Sequence, residues 1–246
     1  MYNVIFYEKV KEVTEIDDII IRQYTDEEGN YTDTASTREV VKRYRVPTKF
    51  VFETATNCDK LLSGYSILDD FVAEMPSLNS AEGMFSLSSI TSFSGENGKC
   101  ADFNSLTNAD DMFKDCKKLT SIKINTSSLV NVSGFVDGCK LLETYVGDFS
   151  SLIDGNSLFN GLNHLNHFEA SLTSLRNGTE MFANTALETF SEMLPVLTIG
   201  NEMFYHSQLK LINLEAPELL YADSMFENCY HLNDIVINCP LIKSAD

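Results

Sequence analysis

The chain has no tryptophan, only five prolines in 246 residues, and half as many basic residues (18) as acidic ones (36). Each shortage excludes something. Without tryptophan, the side chain that most often anchors a small, tight protein interface is missing. The formal net charge of −18 repels phosphate backbones, so nucleic acid is excluded as a general partner. A field of that sign keeps a protein soluble and steers a basic partner towards it. No run of 18 apolar residues occurs, so no membrane span is expected. The opening residues "MYNVIFYEKVKEV" have no cationic region and too short an apolar stretch for a secretory leader. The expectation is cytoplasmic synthesis without export, or the cell surface if a leader was removed.

Cysteine is present six times, at Cys58, Cys100, Cys116, Cys139, Cys229 and Cys239, but never as a CxxC pair. Cys58, Cys116, Cys139 and Cys229 each stand three residues before a leucine (Leu61, Leu119, Leu142, Leu232). That regularity marks a repeat position for a small packed side chain, and free thiols suit a reducing compartment.

The repeat is what the chain has in abundance. "SLNSAEGMF" at 77–85 returns as "SLTNADDMF" at 105–113, "SLIDGNSLF" at 151–159, "SLRNGTEMF" at 174–182, "VLTIGNEMF" at 196–204 and "ELLYADSMF" at 218–226. The phenylalanines of the pattern are Phe85, Phe113, Phe135, Phe159, Phe182, Phe204 and Phe226, spaced 28, 22, 24, 23, 22 and 22. A leucine-type residue lies seven positions upstream in six of the seven; from Leu129 to Phe135 the gap is six, as if one residue were deleted. After each phenylalanine comes L-x-x-I-x-I, as in Leu119, Ile122 and Ile124, or Leu232, Ile235 and Ile237. Its alternating end predicts a half-buried strand. A unit of about 22 residues cannot bury both its strand face and its Met-Phe pair alone, so units must stack, strand on strand in parallel. Small residues at Ala81, Ala109, Gly155, Gly178, Gly200 and Ala222 are expected to let neighbouring turns approach.

The combined pattern L-x-x-I-x-I…P/S-L-x-x-A/G-x-x-M-F-x-x-C-x-x-L resembles the BspA-like (Treponema-type) leucine-rich repeats. It is clearest in "MFKDCKKLTSIKI" at 112–124 and "CYHLNDIVINCPLIKSAD" at 229–246, and the resemblance covers 54–246. It implies a right-handed β-solenoid with a parallel sheet on the concave face. Members of that family are mostly surface or secreted proteins that bind other proteins, and related repeats occur in phage-encoded proteins. The opening residues do not read as a signal peptide, so surface display of the kind those members show is not the first expectation.

The expected organisation is a β-rich N-terminal cap or docking domain, 1–53, followed by repeats over 54–246: a degenerate first unit (54–83, with Cys58, Leu61 and Leu78 in register) and seven full units. "NVIFYEKV", "EIDDIIIRQYT" and "REVVKRYRVPTKFVFE" read as strands, with a turn at 26–31. "SGENGKCADFN" at 94–104 is an insertion, expected in an edge loop that can meet a partner. "PLIKSAD" stops one residue before the next Met-Phe is due, so the last turn is expected to be incompletely covered, or the natural chain to continue.

Signals for catalysis are weak. Cys229, His231 and Cys239 lack the spacing of a structural zinc site. "GENGK" at 95–99 lacks the register of a phosphate-binding loop. No metal, catalytic residue or cofactor is expected. The outward strand positions remain, with Lys123, Glu143, His167, Glu169, Lys210, Asn213 and Asp234 as candidate partner contacts on the concave face. Lys42, Arg43, Arg45 and Lys49 are a candidate docking patch for an acidic neighbour. The reading is a non-enzymatic interaction or structural protein, homo- or hetero-oligomeric, whose partners are other proteins of a larger assembly. A phage virion component is the specific version, and a surface adhesin that binds host proteins is the alternative.

Overall fold

A computed structural model describes residues 4–24, 31–52 and 54–246, with side chains at 8–14, 40–49 and 54–246. Apart from Tyr31, the turn read at 26–31 lies outside the described residues. The chain forms two compact units, Glu8–Pro47 and Met1–Tyr7 with Thr48–Asp246. Two long strands, β1 (Val4–Tyr24) and β2 (Tyr31–Phe52), supply the first unit and run into the second.

The second unit is a β-solenoid of about eight turns. Its strands are short: β3 (Phe71–Glu74), β4 (Ser92–Ser94), β5 (Ala101–Asp102), β6 (Ser121–Asn125), β7 (Thr144–Asp148), β8 (His167–Ser171), β9 (Thr189–Met193), β10 (Leu211–Glu215) and β11 (Asp234–Asn238). Among the described residues the one helical segment is the 3₁₀ turn Glu96–Gly98. Every pairing from β2 onwards is parallel, and the inward positions align across rungs: Ile122 with Tyr145 and Phe168, Phe190 with Ile212 and Ile235.

The opposite side of each turn has its own ladder. Single bridges join Asn57 to Ser80, Ser80 to Asn108, and Asn131 to Asp154, Asn177, Ile199, Tyr221 and Ser244 in succession. The polar members cap their own bends: the side-chain oxygens of Asn108, Asp154 and Asn177 accept from the amides two residues on, the local bond that makes Asn and Asp favoured at turns.

Between bridge and strand sits the aromatic seat, and backbone hydrogen bonds fix its register. In six turns the amide of the seat residue donates to the carbonyl one position before the next seat, as in Phe85 to Met112, Phe159 to Met181, Phe182 to Met203 and Phe204 to Met225. By that rule Leu62, which donates to Met84, holds the seat of the first turn. Two sequence readings are corrected. Leu62 (6% exposed), not Leu61 (44%), faces inward, and Cys58 takes the small-residue position of Ala81. No residue is deleted at the fourth turn. Phe113 donates to Phe135, so Val136 holds the seat and Phe135 fills the preceding methionine position. From Leu129 to Val136 the gap is again seven.

Two residues with positive φ flank each seat, two before and two after. They are Lys60 and Gly64, Gly83 and Leu87, Asp111 and Asp115, Gly134 and Gly138, Ser157 and Gly161, Glu180 and Asn184, Glu202 and His206, Ser224 and Asn228. These left-handed kinks turn the chain around the seat, which is why Gly, Asn and Asp collect there.

The seats stack. Phe85–Phe113, Phe159–Phe182, Phe182–Phe204 and Phe204–Phe226 lie near-parallel with centroids 5.3–5.7 Å apart. The small residues make room for the methionine of the following turn: a Cβ at Gly178 would come 3.2 Å from the Met203 thioether, and one at Gly200 only 2.4 Å from the Met225 methyl.

The single parallel sheet expected from the repeat is divided. β1 to β8 form one sheet and β9 to β11 another, while the bridge ladder and aromatic stack run on unbroken between Asp154, Asn177 and Ile199. The division falls beside Glu192, a carboxylate in the inward strand position that Leu214 occupies on the next rung and Ile124 on β6.

Candidate functional site

The outward positions of the strands carry the candidate contacts, because alternation sends their neighbours into the core. Lys123, Val146 and Glu169 fall in one row across β6, β7 and β8, and Thr144 and His167 in the next. Glu143 precedes β7; its carbonyl accepts from the amides of Asn166 and His167, while its side chain is exposed. The His167 Nε2 atom lies 3.8 Å from the Glu169 carboxylate. Lys123, Glu143, His167 and Glu169 therefore form a mixed-charge set on adjacent rungs. Asn213 and Asp234 sit on the other sheet, and Lys210 immediately precedes its strand β10. Lys210 pairs with Glu188 at 2.6 Å, and Asn213 lies between Ser191 and Val236 in register.

The insertion at 94–104 is not an edge loop. It interrupts one strand: β4 and β5, on either side of it, both pair with β6, at Ser92–Ser121 and Ala101–Ile124. The chain leaves the sheet at Ser94, closes with Gly95 N–H donating to the Lys99 carbonyl at 2.9 Å, and returns on the same rung. A side chain at Gly95 would run into the Cys100 carbonyl at 2.8 Å. The excursion reaches the candidate surface itself. Lys123 Nζ donates to the Gly98 carbonyl at 3.2 Å, and the Cys100 thiol points at the Val146 carbonyl, 3.8 Å away. Burial pushes that thiol up, Lys123 works against the shift and Glu169 adds to it. Sequence reasoning found the insertion and missed where it lands, because a strand resuming on its own rung leaves no local signature.

Of the basic patch, Arg43 bonds Glu12 at 2.7 Å and Arg45 lies 3.8 Å from Glu8. Lys49 is paired with Glu74 and Glu96, and Lys42 is exposed. Acids within the chain thus meet Arg43, Arg45 and Lys49.

The cysteine position is a hydrogen-bonding seat. The thiols of Cys116, Cys139 and Cys229 donate to the carbonyls of Phe85, Phe113 and Phe204, one turn back, at 2.9–3.0 Å. Ser88, Thr185 and Ser207 take the same position in other turns and are buried there. Thr185 donates to Phe182 at 2.8 Å. All six cysteines are free.

On the bridge side a polar hollow of about 830 Å³ is lined by Asn108, Asp110, Asp111, Lys114, Asp137 and Asp154, among others. Asp111 there pairs with Lys114 at 3.1 Å. Among the described residues, no group of three His, Cys, Asp or Glu side chains is placed to hold a metal ion.

Stacked turns, a parallel strand ladder and a leucine-rich core define a leucine-rich-repeat solenoid. The model of the BspA type leucine rich repeat region matches in six copies, over residues 83–210 and 135–245, and the chain belongs to that family. No curated protein and no solved structure matches it. No helix among the described residues is long and apolar enough to cross a membrane.

Proposed function

We propose that this protein is a non-enzymatic binding subunit of a larger protein assembly, engaging its partner through the outward strand positions of β6 to β8. Membership of a repeat family whose solenoids serve as protein-binding scaffolds supports protein partners. The observation that carries the site is the cluster of Lys123, Glu143, His167 and Glu169 on consecutive rungs, beside the excursion 95–100 that bonds to Lys123. A rigid ladder holds these residues at fixed spacing, about 4.8 Å per rung, so a partner meets them on a backbone that is already ordered. The mixed charges favour a broad polar interface, in which charge sets specificity and association rate more than affinity. The net charge of −18 favours a basic partner surface, and virion association remains the specific version of this reading.

Isolation of the tagged chain from its native source tests it. The expected result is a stoichiometric complex whose partner is lost from the double variant H167E/E169K while the solenoid's circular dichroism is unchanged. Recovery of the chain with no partner, or undiminished binding by the double variant, overturns the assignment.

A further inference from the structure

The division of the sheet leaves two strand edges facing one another with room between them. β8 is bonded to β7 alone and β9 to β10 alone. Their turns stay joined elsewhere: the Gly161 amide donates to the Ala183 carbonyl, and the Thr198 amide to the Arg176 carbonyl, each at 2.9 Å. Between those two points no backbone hydrogen bond crosses among the described residues. The amides of Thr144, His167, Leu211 and Asp234 each donate to the preceding rung; that of Thr189 does not. The amides of Thr126, Phe149, Leu194 and Ala216 each donate to the last strand residue of the following rung; that of Leu172 does not. The Cα atoms of β8 and β9 lie more than 8 Å apart over nearly all of both strands. Bonded strands lie about 4.8 Å apart, so two strands that flank a third are separated by about 9.6 Å. The gap is too wide for bonded neighbours and suits one strand between them.

Its lining is specific. Phe168 and Phe190 hold the inward aromatic position of their strands, and Phe182 meets both rings from the seat side, 4.7 and 5.5 Å away. Phe168 is only half-buried, whereas Ile122 and Tyr145 in the same position on β6 and β7 are fully buried. Two residues on, the inward positions are Ala170 on β8 and the half-buried Glu192 on β9. Burial pushes the Glu192 carboxyl up, and the Glu169 charge adds to that push. Inward charge blunts a strand edge against indiscriminate pairing, and like charges oppose direct closure of β8 on β9. A strand that brings its own cation meets neither obstacle.

We propose that the gap between β8 and β9 receives an extended segment of a partner protein as an added strand, bonded to both edges. Its inward side chains are an apolar one between Phe168 and Phe190 and, two residues away, a lysine or arginine at Glu192. The small side chain of Ala170 leaves room for that long basic one. In strand addition main-chain hydrogen bonds give affinity and alternate side chains give specificity; here two edges are satisfied at once. The site goes beyond the reading of β6 to β8, which uses outward side chains, and needs neither Lys123 nor Glu143.

Hydrogen exchange of the full chain with synthetic peptides tests it. The probes are Thr-X-Thr-Z-Thr segments flanked by Gly-Ser, with X an Ile, Leu, Val or Phe and Z a Lys or Arg. Both orders of X and Z are used, which covers both strand directions. Controls carry Glu at Z, or Pro in place of the central Thr, which removes a main-chain donor. The expected result is fast exchange at Leu172 and Thr189 in the free chain and protection of both by the basic peptides, but by neither control. Glu192→Gln should weaken the basic peptides by about tenfold or more. Slow exchange at Leu172 and Thr189 in the free chain would mean that the edges are already paired, with each other or with a second copy, and would overturn the proposal. So would binding that is indifferent to the Glu or Pro controls, binding unaltered in Glu192→Gln, or no protection by any peptide at millimolar concentration.

Discussion

The ring of Tyr145 lies 5.2 Å from the ring of Phe159, edge to face, and spans the interruption that Val136 makes in the aromatic stack. Phe135, displaced into the methionine position, meets Phe113 edge-on at 84° instead of stacking. Tyr145 and Phe149 stack on each other at 5.2 Å, and both touch Phe135 and Phe159. Tyr145 is fully buried, and its hydroxyl finds no hydrogen-bond partner; the nearby Thr126 hydroxyl donates to the Asp148 carbonyl instead. An orphaned buried hydroxyl costs about 1–3 kcal/mol. Tyr145→Phe is therefore expected to hold or raise stability, and Tyr145→Ala to lose about 3–5 kcal/mol. Val136→Phe, which restores the repeat's own residue, should destabilise by about 1–3 kcal/mol because Tyr145 already fills the space. Urea denaturation of the three variants reads all of these effects.

The spine should weaken towards β11. Phe182 is buried between Phe159 at 5.6 Å and Phe204 at 5.7 Å, whereas Phe226 stacks on Phe204 alone and is only half-buried. Phe182→Ala is expected to cost about 3–5 kcal/mol, and Phe226→Ala clearly less, with its unfolding confined to the last turns. Hydrogen exchange resolves the second part: protection should fall over β11 and stay intact over β6 to β8. Uniform loss would show that the array unfolds as one unit.

Much of this was legible in the sequence because the repeat states its own physics. Alternation in Ile122, Lys123 and Ile124 is a strand with one face buried, and the Met-Phe pairs can be buried only by stacking. What the sequence hid were registers. Phe135 looks like a seat residue by type and Leu61 like the leucine that follows a repeat cysteine, yet Val136 and Leu62 hold the seats, because the backbone kinks at Gly134 and Gly138, and at Lys60 and Gly64, decide which side chain turns inward. At the candidate surface, the rows of Lys123, Glu143, His167 and Glu169 follow from strand spacing. The landing of Cys100 beside Val146 depends on a loop that closes on itself, which no period announces.

The kinks give a stabilising substitution. Leu87 has φ 60° and is 61% exposed, where other turns place Asp115, Gly138, Gly161, Asn184, His206 and Asn228. A left-handed conformation costs a residue with a branched apolar side chain about 1–2 kcal/mol. Leu87→Gly or Leu87→Asn should therefore raise the unfolding free energy by up to about 1 kcal/mol, read as a higher urea midpoint at an unchanged slope. A lower midpoint would mean that the Leu87 side chain contributes packing its exposure does not suggest.

The cysteine seat accepts a small donor and nothing larger. Cys139 is fully buried against the Phe113 carbonyl, and that oxygen also accepts from the Cys116 amide at 3.1 Å. Serine, which other turns use, keeps the donor, so Cys139→Ser should change stability by less than about 1.5 kcal/mol. Cys139→Leu forces extra methylenes into a filled space and should cost about 1–3 kcal/mol. Burial, with a smaller push from Asp59, raises the Cys58 thiol to about 11, so this cysteine should resist alkylation at neutral pH until the first turn opens. Rapid labelling of Cys58 in the native protein would contradict its placement.

Glu192 gives the solenoid a pH dependence of known sign. It sits in the inward position of β9 at the division between the two sheets; burial pushes its carboxyl up and the Glu169 charge adds to the shift. A carboxyl raised in the folded state binds its proton more tightly there than in the unfolded chain. Its contribution to stability is thus present below the ordinary glutamate range and is lost as pH rises through the raised value. At neutral pH this charge works against the fold. Glu192→Gln should raise the melting temperature at pH 7, change it less at pH 4, and flatten the profile between; Glu192→Leu, which copies Leu214 on the next rung, should raise it further. Glu169→Gln should recover part of the same gain by removing the facing charge. A melting temperature that falls in Glu192→Gln at pH 7 would mean that the carboxylate is held by a donor that outweighs its burial, and that the division of the sheet is built around that charge.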